Sequence, residues 1–232
     1  MADVVAQVDR RTEGGSVYEL QRRDGGFDIV VDGQLTMRSS GGRIDKEIVD
    51  LAIAPWETRD DLTVLLAGLG MGLTLRELLD RPQVKQVDVV EHSQTLVDWA
   101  RGELAPANGG ALQDKRVRVI TRELGEFLRS PASESGPRPG GWFVVLFDLD
   151  AWPVSLSRPE NVEFYHEDGL LLLETALRPG GVLAMVASRR DDELDGRLRK
   201  RMQSVARVVV PGENDMTYVY RGRRSSVGGG EG

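Results

Sequence analysis

Acidic side chains at the ends of apolar runs, a glycine-rich turn and one indole are where this sequence could do chemistry. Asp148 and Asp150 flank Leu149 just after the run Trp142 to Phe147, so on an extended segment the two carboxylates point the same way. Such a pair can bind an amine and take its proton, because an ammonium has no lone pair until it is deprotonated. The competing reading is structural, with Asp148 capping the loop that follows. Trp152 either packs on the sheet edge or walls an acceptor pocket, where a cation gains attraction to its face. Tyr165 and His166 precede a helix starting near Asp168, and either could orient a substrate or serve packing at the helix entry.

Upstream, the apolar run Leu62 to Leu66 meets Ala67-Gly68-Leu69-Gly70-Met71-Gly72 and then the helical run Leu73 to Leu79. Gly68, Gly70 and Gly72 either let backbone amides approach a ligand or simply make a tight strand-to-helix turn. Glu91 ends the next apolar run, 21 residues after Gly70, where a carboxylate can hydrogen-bond a ribose hydroxyl. His92 beside it lines the ribose edge or faces solvent. Glu123 follows the third run and could accept from an adenine amino group, while Gln34 and Arg38 could reach the ligand from a hairpin. A dinucleotide fingerprint wants its third glycine where Leu73 stands, and no Lys-Ser or Lys-Thr follows for a phosphate loop. A cofactor with ribose and adenine but no pyrophosphate suits the turn better, and S-adenosylmethionine is the common one.

Composition narrows the chemistry. With no cysteine and only two histidines, disulfides, thiolate nucleophiles and the usual zinc sites are excluded and no metal is expected. A net charge of −7 offers no surface for nucleic acid, and the basic run Arg197 to Arg201 reads as a solvated helix face. No apolar window is long enough to span a membrane and no signal sequence opens the chain, so a cytoplasmic protein is expected.

The elements that must position these residues follow from periodicity. Residues 1 to 15 are polar and predict a frayed start. Hairpin signals at Asp24-Gly25-Gly26 and Asp32-Gly33 predict a small antiparallel meander, giving an N-terminal β extension over residues 1–42. Ile44, Ile48 and Leu51 predict an amphipathic helix from about Arg43 to Ala54. Strand patterns near Leu62, Val87, Val117, Trp142 and Val182 alternate with helical ones near Gln94 to Leu104, Leu124 to Arg129 and Gly169 to Leu177. That alternation predicts an α/β domain over 43–223 with a mostly parallel, Rossmann-like sheet. Val205 to Val210 and Met216 to Tyr220 predict an antiparallel edge, 130–140 a surface loop, and 224–232 a disordered tail.

The sequence resembles the spermidine synthase family, through Leu65 to Glu77, Val89-Val90-Glu91, Val119 to Leu128, Phe147-Asp148 and Leu177 to Leu183. The resemblance implies a class I methyltransferase-like fold with an N-terminal antiparallel extension, homodimerisation, and S-adenosylmethionine or its decarboxylated form as cofactor. It implies that Gly68, Gly70 and Gly72 form the cofactor loop, Glu91 holds the ribose, Glu123 with Leu124 frames the adenine, and Asp148 deprotonates the attacking amine. Two departures stand out. Ala151 occupies the place of the family's second aspartate, and Arg43-Ile44-Asp45-Lys46-Glu47 replaces its Tyr-His-Glu segment. The expectation is therefore transfer to a small-molecule acceptor other than a standard polyamine. The alternatives are a small-molecule methyltransferase and a nucleoside-binding protein that kept the fold without the chemistry.

Overall fold

The computed structural model describes residues 5–23, 25–39, 42–130, 141–149, 159–211 and 216–226. Four strands open the chain, β1 (Ala6–Glu13), β2 (Ser16–Arg23), β3 (Gly26–Val31) and β4 (Gln34–Arg38), paired antiparallel in sequence order. The last three are the expected meander. β1 corrects the expectation of a frayed start. Its polar face is held from outside, since Asp9 accepts from the Trp99 indole at 2.8 Å and Arg11 pairs with Asp98 at 2.9 Å.

Helix α1 (Gly42–Ile53) leads to a second sheet built from β5 (Leu62–Ala67), β6 (Val84–Glu91), β7 (Val117–Thr121), β8 (Trp142–Phe147), β9 (Leu177–Ala187), β10 (Gln203–Pro211) and β11 (Met216–Arg223). Its order is β10-β11-β9-β8-β5-β6-β7. β5 to β9 run parallel, and β11 and β10 close the edge antiparallel, as the two apolar runs near the end predict. Between the strands lie α2 (Leu73–Leu79), α3 (Gln94–Arg101), α4 (Ala105–Asn108), α5 (Leu124–Arg129), α6 (Glu167–Ala176) and α7 (Asp192–Arg201). The expected loop at 130–140 and the turn after Pro211 lie largely outside the described residues.

Burial explains the apolar strand runs. Leu62, Val64, Leu65, Leu66 and Ala67 are all fully buried, as a parallel strand covered on both faces requires. One face carries α1, α2 and α3 through Ile48, Val49, Leu75, Leu78 and Val97. The other carries α5, α6 and α7 through Phe127, Leu173, Leu194 and Leu198. A third cluster joins Tyr18, Leu20 and Ile29 of the N-terminal sheet to Leu73, Leu96 and Trp99, so that sheet packs directly over α2 and α3.

Two boundaries differ from expectation. β9 begins at Leu177, not Val182, because its Arg-Pro-Gly-Gly stretch bulges between the Trp142–Leu177 and Val144–Val182 pairings. Arg224, expected in the tail, is hydrogen-bonded into the sheet end through Gly180 and Gly181. The basic face of α7 is neutralised within the protein, with Arg197 on Glu193, Arg199 on Asp195 and Arg201 on Glu174. No helix among the described residues is long and apolar enough to cross a membrane.

Candidate active site

Strand order reverses between β5 and β8, and an open α/β sheet offers its ligand crevice at the carboxyl ends of strands at such a point. The glycine turn leaves β5 there. Gly68 has φ +97°, and a Cβ on it would collide with the Asp148 carbonyl oxygen. The ends of β5 and β8 are therefore in backbone contact, tied by Asp148 N–H donating to Ala67 O at 2.9 Å. Gly72, at φ +84°, precedes α2, and a Cβ there would stand 3.0 Å from Asn108 Nδ2. The glycine spacing is thus required by the chain path itself. Within the turn, Leu69 N–H donates to Glu91 and Gly72 N–H to Leu69 O. Among the described residues the N–H groups of Gly70 and Met71 meet no acceptor, which makes them the donors a bound ligand would find.

Glu91 ends β6 directly beside the turn and is only 3% exposed. Its Oε2 accepts from Leu69 N–H at 3.0 Å, and its Oε1 from Ser93 N–H at 2.9 Å and His92 Nδ1 at 3.0 Å. Burial alone would push this carboxyl up. The His92 hydrogen bond and charge, with the two backbone amides, outweigh burial and hold it below the usual glutamate range. His92 completes a chain outward, its Nε2 lying 3.3 Å from the Tyr18 hydroxyl of β2. A ribose hydroxyl at Glu91 would share a carboxylate already holding three protein donors. Glu123 stands half-buried at the start of α5, with Leu124 buried behind it, and Arg122 N–H donates to Glu91 O at 3.0 Å.

Asp148 is half-buried at the end of β8. Its Oδ2 lies 3.1 Å from the hydroxyl of Thr74 in the first turn of α2, and the same hydroxyl lies 2.8 Å from Oδ1 of Asp45 in α1. Asp45 and Thr74 are functional candidates that the sequence reading missed. One signal was present: Asp45 precedes Val49 and Ala52 by about one and two helical turns, which puts an acid in register with two fully buried residues. Asp150 and Trp152 lie outside the described residues.

Tyr165 is wholly buried, its ring edge-on to Phe147 at 5.5 Å, so it packs beneath the strand that carries Asp148. His166 is exposed at the start of α6, its N–H donating to Glu163 O at 3.0 Å. Gln34 is exposed at the β3–β4 turn. Met37 of β4 reaches the glycine turn, and its Sδ would lie 3.1 Å from a Cβ at Gly70.

Residues 42–219 match the spermine/spermidine synthase domain. The chain belongs to the spermine/spermidine synthase family. It is 35% identical over 126 residues to a polyamine aminopropyltransferase of Mycobacterium tuberculosis, covering 54% of this chain and 22% of that protein. It is 32% identical over 167 residues to polyamine aminopropyltransferase 2 of Streptomyces coelicolor, covering 71% and 28% respectively. The chain thus spans about a quarter of the length of these curated relatives. Its fold matches the crystal structure of spermidine synthase from Thermotoga maritima with a TM-score of 0.73 at 15% identity, over 95% of this chain and 74% of that one. A spermidine synthase in complex with the transition state analogue AdoDATO matches with a TM-score of 0.72, also at 15% identity. The Rossmann-like sheet with its N-terminal antiparallel extension is the fold of this family.

Proposed function

We propose that this family member transfers an alkyl group, in the first instance aminopropyl, from a decarboxylated S-adenosylmethionine-type cofactor to a small amine. The observation that carries the reading is the meeting of Gly68 and Asp148: the glycine turn and a half-buried carboxylate touch at the ends of two paired strands at the switch point. The residues present fit such a cofactor. Gly70 and Met71 offer unsatisfied N–H donors, Glu91 and Glu123 stand at the ends of the next two strands, and Met37 lies over Gly70 as an apolar cover. When bound, the sulfonium supplies a carbon that forms a bond to the amine nitrogen as its bond to sulfur breaks, the electron pair leaving with sulfur.

Asp148 accepts the proton that the acceptor ammonium must lose, and its carboxylate holds the amine by charge while doing so. The hydrogen bond from its own N–H to Ala67 fixes it relative to the turn. The relatives' names point to polyamine acceptors. Ala151, in place of a second aspartate, supports an acceptor with fewer cationic groups to hold. A cytoplasmic homodimer is part of the same reading, and sedimentation tests the dimer.

Calorimetry with S-adenosylmethionine, its decarboxylated form and methylthioadenosine is the first test. Binding of the decarboxylated form followed by an aminopropyl mass gain on an amine supports the proposal. A methyl mass gain makes the chain a methyltransferase, and binding without turnover a nucleoside-binding protein. No binding of any of the three ends the nucleoside reading. Asp148→Asn should lower turnover by about 100-fold or more while cofactor affinity stays nearly unchanged, and retained turnover would remove Asp148 from its role.

A further inference from the structure

A hydroxyl has one hydrogen to give, yet the Thr74 oxygen lies within hydrogen-bond distance of two carboxylates, Asp45 at 2.8 Å and Asp148 at 3.1 Å. If both were ionised, one would face the hydroxyl's lone pairs with no hydrogen between them. A second proton in the trio removes that conflict. We propose that Asp45, Thr74 and Asp148 form one directional hydrogen-bonded chain, in which Asp45 is a neutral carboxyl donating to Thr74 and Thr74 donates to the charged Asp148. Asp45 is then a positioning residue for the carboxylate that receives the amine proton, a role that rests on the transfer reading given above.

The surroundings agree with that direction. Burial pushes the Asp45 carboxyl above the usual aspartate range and the charge of Glu77 adds to it; Thr74, the Asp45 amide and Arg76 pull the other way and are outweighed. Arg76 is divided, giving one guanidinium nitrogen to Ala107 O and another to Glu77 at 3.0 Å. From β11, Arg221 meets α1 at the Leu51 carbonyl, almost two turns along the helix from Asp45. The chain also fits the cation that Asp148 is to receive. A trio with one net negative charge, concentrated on Asp148, presents a single acceptor for one ammonium, where two anions would compete for it.

Substitutions separate this arrangement from a second anionic binding group. Asp45→Asn is permanently neutral and can still donate to Thr74, so it should keep both kcat and the KM for the amine. Asp45→Ala and Thr74→Val should each lower kcat by about 10- to 100-fold with a smaller change in KM, the cost of a misoriented base. Thr74→Val should also move the acid limb of the kcat profile to higher pH, because the Asp148 anion loses a donor, and Thr74→Ser should restore both. A raised amine KM in Asp45→Asn with unchanged kcat would overturn the proposal, since it would make Asp45 a charged ligand. Titration of carbon-13-labelled aspartate in the full chain, without any ligand, reads the proton itself. One aspartate signal, lost in Asp45→Asn, should hold its proton above the range of the others. If Asp45 titrates with the rest, the chain is not built as stated, whatever the turnover. Failure of the wild type to bind cofactor would end the transfer reading and leave this measurement unaffected.

Discussion

Glu91 and Asp148 end the two strands that flank β5, and both approach the glycine turn, yet they are used in opposite ways. Glu91 is 3% exposed and each of its oxygens is taken by protein donors, including the turn's own Leu69 N–H. Asp148 is half-buried, and among its side-chain partners is a hydroxyl shared with another acid. A carboxylate surrounded by fixed donors holds its charge and fixes the backbone around it. A carboxylate whose partner is a shared, rotatable hydroxyl can exchange a proton with a substrate. The difference teaches that the β6 side of the turn is built for shape, while the proposed transfer assigns the proton to the β8 side.

The substitution that strikes both sides at once should have the largest effect. Gly68→Ala combines a left-handed backbone, worth about 1–2 kcal/mol, with overpacking against the Asp148 carbonyl, worth about 1–3 kcal/mol. A loss of roughly 4 kcal/mol in chemical denaturation is expected, with turnover falling as well, because the strand ends must separate. A stable, active Gly68→Ala protein would mean that the ends of β5 and β8 do not meet as tightly as the geometry requires.

Glu91→Gln tests the shape side alone. Replacing the buried anion while its three donors remain should cost about 2–3 kcal/mol near neutral pH. The sign with pH follows from its lowered value. A carboxylate held lower in the folded than in the unfolded protein contributes stability above the ordinary 4.5, and that contribution is lost as pH falls through the folded value. The gap between wild type and Glu91→Gln should therefore close below pH 4.5 in denaturation curves. A gap that stays constant or widens on acidification would take the charge out of the account.

Much of this division was legible in the sequence, and its limits have physical causes. Apolar runs meeting helical patterns specified β5, β6, β8 and β9, because a strand buried on both faces must be almost wholly apolar. Gly68, Gly70 and Gly72 marked the turn because their left-handed conformations suit few other residues. β1 was not legible. Ala6–Glu13 carries little apolar surface, and its order comes from Asp9 and Glu13 reaching α3, more than 80 residues away. Asp45 and Thr74 were missed for the same reason, since 29 residues separate them and only the packing of α1 on α2 brings them together. Met37 was likewise masked by Gln34, which sits at the more conspicuous turn.

The smallest expected effect asks how far the shape side extends. Glu13 of β1 reaches the start of α3, accepting from Ser93 Oγ at 2.7 Å and from the N–H groups of Gln94 and Thr95 at 2.8 and 3.0 Å. Those amides are among the donors a helix start leaves unpaired, and the positive end of the helix favours the charge. Burial would push the Glu13 carboxyl up, but these hydrogen bonds more than offset it and hold the group low. Glu13→Ala should therefore cost about 1 kcal/mol, with kcat and the pH profile unchanged, because among the described contacts Glu13 does not touch Asp148 itself. Ser93, however, also donates its N–H to Glu91. If β1 and Glu91 form one brace, the Glu13→Ala and Glu91→Gln losses will be non-additive in a double-mutant cycle. Additive losses would confine the shape side to Glu91 and the turn, and make the N-terminal sheet an independent support for α3.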